Sequence, residues 1–219
     1  MKWHEEGRTK DGLMRHPADS PAWKDLDSLY PEFSTDPRNV RLGLASDGFN
    51  PFGMMTVSHR TWPIILIPYN LPPLLCMKQP NFILMLLIPG PKSPGNKIDV
   101  YLQPLIEELK ELWDEGLKTY DVSVNQSFLM RAVVLWTISD LPELSSLSGY
   151  SARGMYACPH CGFDTESLWF IHSRKYCYMG HRRWLEADHI YCQDVQSFDG
   201  TCETRPAPMR LMGSEVLGN

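Results

Sequence analysis

Two acids and one cysteine–histidine series are the residues of this 219-residue chain whose types and spacing suit chemistry. Asp47 closes the apolar run "NVRLGLAS" (39–46) and is followed by the turn-rich "GFNPFG". Asp140 ends a second such run, "VVLWTISD". Carboxylates at the C-terminal ends of strands stand on rigid backbone yet face solvent. A hard cation such as Mg²⁺ takes one or two carboxylates together with substrate phosphates. Two such ions about 4 Å apart activate a water or a 3′-hydroxyl and stabilise the leaving oxygen in phosphodiester chemistry. A plainer reading stands beside this one. Asp before Gly is a common turn former, and Asp before Leu-Pro can close a strand through an Asx-turn.

The second series is Cys158-x₂-Cys161, fifteen residues, then Cys177-x₃-His181. Two Cys pairs or Cys/His pairs at such spacing suit tetrahedral zinc, and four protein ligands make the metal structural rather than catalytic. His160, His172 and His189 are alternative fourth ligands, and a redox pair or buried free thiols are the competing readings. Cys76, Cys192 and Cys202 have no evident partner. Arg174, Lys175, Arg182 and Arg183 form a local basic cluster interleaved with Tyr176, Tyr178 and Trp184. Such a patch suits phosphate contact and base stacking, or is simply a solvated face around a small metal knuckle.

Elements must position these groups. "NVRLGLAS", "TWPIILIPYN" (61–70) and "NFILMLLIPG" (81–90) read as three strands, apolar enough for a sheet covered on both faces. "KIDVYLQPLIEELKELWDEG" (97–116) has apolar residues at Ile98, Tyr101, Leu102, Leu105, Leu109, Leu112 and Trp113, the spacing of one buried helix face. Gly116 stops it, and Pro104 falls in its second turn. "FLMRAVVLWTISD" (128–140) fits a helix or a strand by periodicity; its β-branched and aromatic content favours a strand over at least 133–138. The resulting organisation is a polar lead-in (1–38), an α/β core (39–148), a Cys/His segment (149–190) and an irregular tail (191–219). In the lead-in, "SPAWKDLDSLY" reads as a short helix capped by Ser20.

Composition narrows the classes. Hydrophobic residues make up 43% of the chain and charged residues 21%, as in a folded protein. The net charge of −5 gives no overall basic footprint for nucleic acid, so cations or other protein surface must supply positive charge. No apolar stretch is long and unbroken enough to cross a bilayer, and the N-terminus has no signal-peptide pattern. A soluble intracellular chain whose six cysteines are thiols or metal ligands is expected.

The segments "DPRNVRLGLASDGFNPFG", "WPIILIPYNLPPLLCMK", "LLIPGPKSPGNKIDVYLQPLIEELKELW", "LSGYSARGMYACPHC" and "CYMGHRRWL", preceded by "DGLMRHPADSPAWK", carry a resemblance across most of residues 11–185. The chain resembles the transposases of plant CACTA (En/Spm-like) DNA transposons. That resemblance implies an RNase H-like α/β fold, a mixed sheet flanked by helices, with a Cys/His zinc-knuckle insertion. It implies DDE/D-type cleavage and strand transfer with Mg²⁺ or Mn²⁺ on transposon-end DNA, with Asp47 and Asp140 as first and second catalytic acids. It also implies nuclear localisation and allows a homo-oligomer, with no membrane partner. The family's third acid lies in a later helix, and nothing in residues 186–219 reads as that helix. Glu186, Glu203 and Glu215 lack the context. An incomplete core, catalytically weak or inactive, is therefore expected. The alternatives are a zinc-stabilised DNA- or protein-binding module without catalysis, and a poorly folding remnant.

Overall fold

The computed structural model describes residues 1–53, 59–149, 151 and 153–209, without the Asn96 side chain. They divide into two compact units, Met1–Glu143 and Leu144–Asn219. Glu215 lies outside the described residues.

The first unit opens with short helices: α1 (Trp3–Glu6), α2 (Pro21–Leu29) and α3 (Pro31–Thr35). Ser20 caps α2, its Oγ accepting from the Trp23 amide at 3.3 Å, and Pro21 takes the first helical position. These helices bring Trp23 and Phe33 into the core. The guanidinium of Arg41 lies over both rings, at 4.5 and 4.9 Å from their centroids, and Asp27 pairs with it from α2. A fully buried charge needs both kinds of partner.

A four-stranded sheet follows: β1 (Val40–Ser46), β2 (Trp62–Pro68), β3 (Ile83–Ile88) and, much later, β6 (Ala132–Ile138). A short helix, α4 (Pro73–Cys76), lies between β2 and β3. The spatial order is β3-β2-β1-β6, antiparallel for the first three and parallel between β1 and β6. The expected cover on both faces holds for β1 and β2. It fails for β3, an edge strand that leaves Ile83, Leu84, Met85 and Leu87 exposed.

The long connection needed to bring β6 parallel to β1 contains α5 (Ile98–Asp114). Ile98, Leu102 and Leu105 of α5 are buried, and Trp113 packs edge-on to Tyr30. Tyr101 departs from the expected stripe and is exposed. Gly116 ends this region in the left-handed conformation, φ 74°. Between α5 and β6 the chain makes a hairpin, β4 (Leu117–Asp121) and β5 (Gln126–Met130). The strand expected over at least 133–138 is β6; the segment 128–140 as a whole is divided, since β5 ends at Met130 and β6 begins after Arg131.

Helix α6 (Leu141–Ser148) follows β6 directly. In the second unit, β7 (Ser167–Phe170) and β8 (Lys175–Tyr178) form another hairpin, and α7 (Ile190–Gln193) precedes an irregular stretch. Among the described residues, no helix is long and apolar enough to cross a membrane.

Candidate functional site

Parallel pairing puts the two aspartates at one end of the sheet. Ala45 of β1 stands opposite Ile138 of β6, so Asp47 and Asp140 each lie two residues beyond a paired position. Both leave the C-terminal ends of adjacent parallel strands, and both are exposed. After Asp47 the chain stays on the sheet, since Phe49 and Thr61 exchange both backbone hydrogen bonds.

A third carboxylate, which the sequence reading passed over, belongs to this rim. Glu143, in the first turn of α6, is only 4% exposed. Its amide donates to Asp140 Oδ1 at 2.9 Å, as the third residue after an N-cap does. Burial, then the charges of Asp47 and Asp140, push the Glu143 carboxyl above its ordinary value; the Gly48 amide and Arg60 act the other way. The cue in the sequence was faint, because an acid three residues into a helix ordinarily serves the dipole on an exposed surface.

The rim also collects orphaned polar atoms. Among the described residues, Ser46 Oγ, Trp62 Nε1, Ser139 Oγ and Glu143 Oε2 are buried without a hydrogen-bond partner. Each belongs to the end of β1 or β6, the start of β2, or the start of α6. Buried polar groups are normally paired, and these four atoms are exceptions to that rule. The Asp47, Asp140 and Glu143 carboxylates offer oxygen alone, a donor type that suits Mg²⁺ or Mn²⁺ rather than a thiophilic metal, whereas Trp62 Nε1 is an N–H donor and ligates no cation. The carboxylates influence one another electrostatically, but they do not form a closed cage. Among the described residues, no three His, Cys, Asp or Glu side chains converge as a ready-made metal site.

The Cys/His series lies wholly in the second unit. Cys158, His160, Cys161 and His181 line one cavity of about 260 Å³. The Cys158 carbonyl accepts from the Gly162 amide at 2.9 Å, a tight turn that holds the two thiols near each other. Burial and the neighbouring Cys158 push the Cys161 thiol up to about 11. Cys177 is not among the lining residues. It is exposed on β8, while its neighbour Tyr178 faces the cavity, as strand alternation requires. His160 lines the cavity that Cys177 does not.

The four cations of the basic cluster separate. Arg174 and Lys175 are exposed at the β7–β8 turn, where Arg174 has φ 51°. Trp169 and Tyr176 pack edge to face beside them, centroids 4.8 Å apart. Arg182 faces inward instead and is buried. Its guanidinium donates to the Thr201 carbonyl at 3.0 Å and to Asp199 at 3.0 Å, and stacks on Phe198. Arg182 is thus the anchor of the C-terminal stretch and not part of an exposed patch. Arg183 is half-buried, its Nε donating to the Pro206 carbonyl.

Mixed α/β architecture and a carboxylate rim at the end of paired parallel strands describe a class compatible with cation-dependent chemistry. A family model, Transposase family tnp2, matches residues 11–219, and the chain belongs to that family. No curated protein and no solved structure matches the chain.

Proposed function

We propose that the first unit is an RNase H-like core of a DDE/D transposase, with Asp47 and Asp140 as the acids that hold the cations. The narrower kinship with plant CACTA transposases belongs to this proposal. The observation that carries it is the parallel register of β1 and β6, which delivers two carboxylates from one sheet end two residues past the Ala45–Ile138 pair. Cations bound there would activate a water or 3′-hydroxyl for attack on a DNA phosphodiester and stabilise the leaving oxygen. Asp47 and Asp140 would hold and orient them, being exposed enough to admit a phosphate. In the second unit, Cys158, Cys161 and His181, with His160 or Cys177 as fourth ligand, would hold a structural zinc. Arg174 and Lys175, beside Trp169, would contact DNA through phosphates and stacking.

The test is cleavage and joining of transposon-end DNA with Mg²⁺ or Mn²⁺, run with Mn²⁺ titrations of the wild type, Asp47→Asn and Asp140→Asn. Loss of both cation binding and strand chemistry in each variant is expected. Wild-type affinity in both variants would remove the pair from the site.

A further inference from the structure

We infer that the tip of the β7–β8 hairpin is a wedge for unpaired bases: Phe170 and Ile171 stack on bases laid open in melted or single-stranded DNA, while Arg174 and Lys175 hold the adjoining phosphates. The inference rests on the reading of those two cations as phosphate contacts, and names the DNA conformation they serve. Three observations converge. Every residue from Leu168 to Lys175 is exposed. Four of them are apolar and consecutive, Leu168, Trp169, Phe170 and Ile171, the last 76% exposed at the start of the turn. Trp169 stands opposite Tyr176 and Phe170 opposite Lys175, so alternation leaves apolar area in water on both faces of the hairpin. From Ser167 to Leu185 the sequence has no acid, although the whole chain carries a net charge of −5. Elsewhere in the second unit, Arg182 pairs with Asp199, and Arg205 with Glu166 and Glu203. Arg174 and Lys175 form no ion pair among the described residues.

An apolar ridge by itself fits many partners. Unpaired cations on the same tip select a polyanion, and the ridge selects one with apolar faces to offer. Nucleic acid has both, but an intact duplex hides its base faces in the stack. Phe170 and Ile171 would there meet only groove edges. Where the strands part, the faces are free, and stacking a base on an aromatic side chain is favourable whatever the base. Aliphatic side chains act similarly when they wedge between base steps. The turn Ile171–Arg174 joins the two functions, since its first residue extends the apolar run and its last begins the cationic pair.

The experiment is fluorescence anisotropy of the full chain with an intact duplex, the same duplex with a short central bubble, and that bubble built from abasic sites. The wild type is expected to bind the bubble about tenfold more tightly than the duplex, and the abasic bubble no more tightly than the duplex. Phe170→Ala combined with Ile171→Ser should bring the bubble down to the duplex level. Duplex affinity should not change in that variant, which also shows that it folds. Arg174→Ala with Lys175→Ala should weaken binding to all three probes. Equal wild-type affinity for bubble and duplex overturns the wedge and leaves the phosphate contacts standing. So does a bubble preference that survives the Phe170 and Ile171 substitutions or the loss of the bases, or an equal loss on bubble and duplex in that variant. Absence of DNA binding by the wild type, or full binding without Arg174 and Lys175, overturns both readings.

Discussion

Asp140 accepts the amide hydrogen of Glu143 at 2.9 Å, and so serves as helix cap as well as rim carboxylate. The two roles separate by substitution. Asp140→Asn retains a good capping group and is expected to keep wild-type stability without metal, while losing cation affinity. Asp140→Ala loses the cap as well and should unfold about 1 kcal/mol more easily. Urea denaturation of the metal-free variants checks the first effect, and Mn²⁺ titration checks the second. Equal stability of the two variants would mean the cap contributes nothing.

Gly48 is required for steric reasons. A Cβ there would stand 2.7 Å from Cε2 and Nε1 of Trp62, whose ring is 2% exposed. Gly48→Ala is expected to cost about 1–3 kcal/mol through overpacking. Denaturation midpoints of the variant and the wild type check this; an unchanged midpoint would show that the Trp62 ring yields at no cost.

Acid should loosen the first unit through its histidines. Burial, and next Arg41, lower His4 from 6.5 to about 4, and burial likewise lowers His16. His16 Nδ1 accepts from the Ala18 amide at 3.1 Å, a bond that a protonated ring would lose. The fold favours the neutral rings, so their contribution is whole above pH 6.5 and is lost as pH falls toward 4. For His4 alone, going from pH 7.5 to 5 should remove about 2 kcal/mol. His4→Phe is expected to flatten that part of the stability profile in denaturant titrations. An unchanged slope would show that His4 titrates normally.

Zinc content separates the two ligand sets of the second unit. Cys158→Ser is expected to abolish bound zinc, since Cys158 lines the cavity with Cys161 and His181. Cys177→Ser should leave it unchanged, the thiol being exposed on the other face of β8. Elemental analysis of the purified variants reads the outcome. Zinc lost on Cys177→Ser would restore the ligand set read from the spacing. Chelation of the wild type is expected to unfold the second unit, because structural zinc supplies folding free energy.

The basic residues divide in the same way. Arg174→Ala with Lys175→Ala is expected to weaken DNA binding and reduce its salt dependence by about two phosphate contacts, with little change in stability. Arg182→Ala should instead release the segment around Thr201, visible as faster proteolysis there. Filter binding over a salt series and limited proteolysis distinguish the two. Equal effects on binding from Arg182→Ala and the double variant would refute the division.

The sheet was legible because its strands are nearly pure runs of apolar residues: "VRLGLAS", "WPIILIP" and "ILMLLI" leave little room for another element. Asp47 and Asp140 were legible for the same reason, as charges that end such runs. The β4–β5 and β7–β8 hairpins were not, since their short strands mix polar and apolar side chains and lie largely exposed. Trp23 and Phe33 hid in a stretch polar enough to read as a lead-in. Nothing in "GHRRW" separates Arg182 from Arg183; only the placement of Asp199 and Thr201 does. Glu143 was hidden likewise, because burial of an acid is a property of the fold around it.

The parallel strands carry a consequence for assembly in time. Asn39 must find Arg131 across 92 positions before the two strands can zip, and distant pairings of this kind form slowly. The rim that carries Asp47 and Asp140 can therefore form only once the slowest closure is complete. Cation uptake during refolding would act as a clock for that last event, trailing the β1–β2 hairpin and the α5 signal.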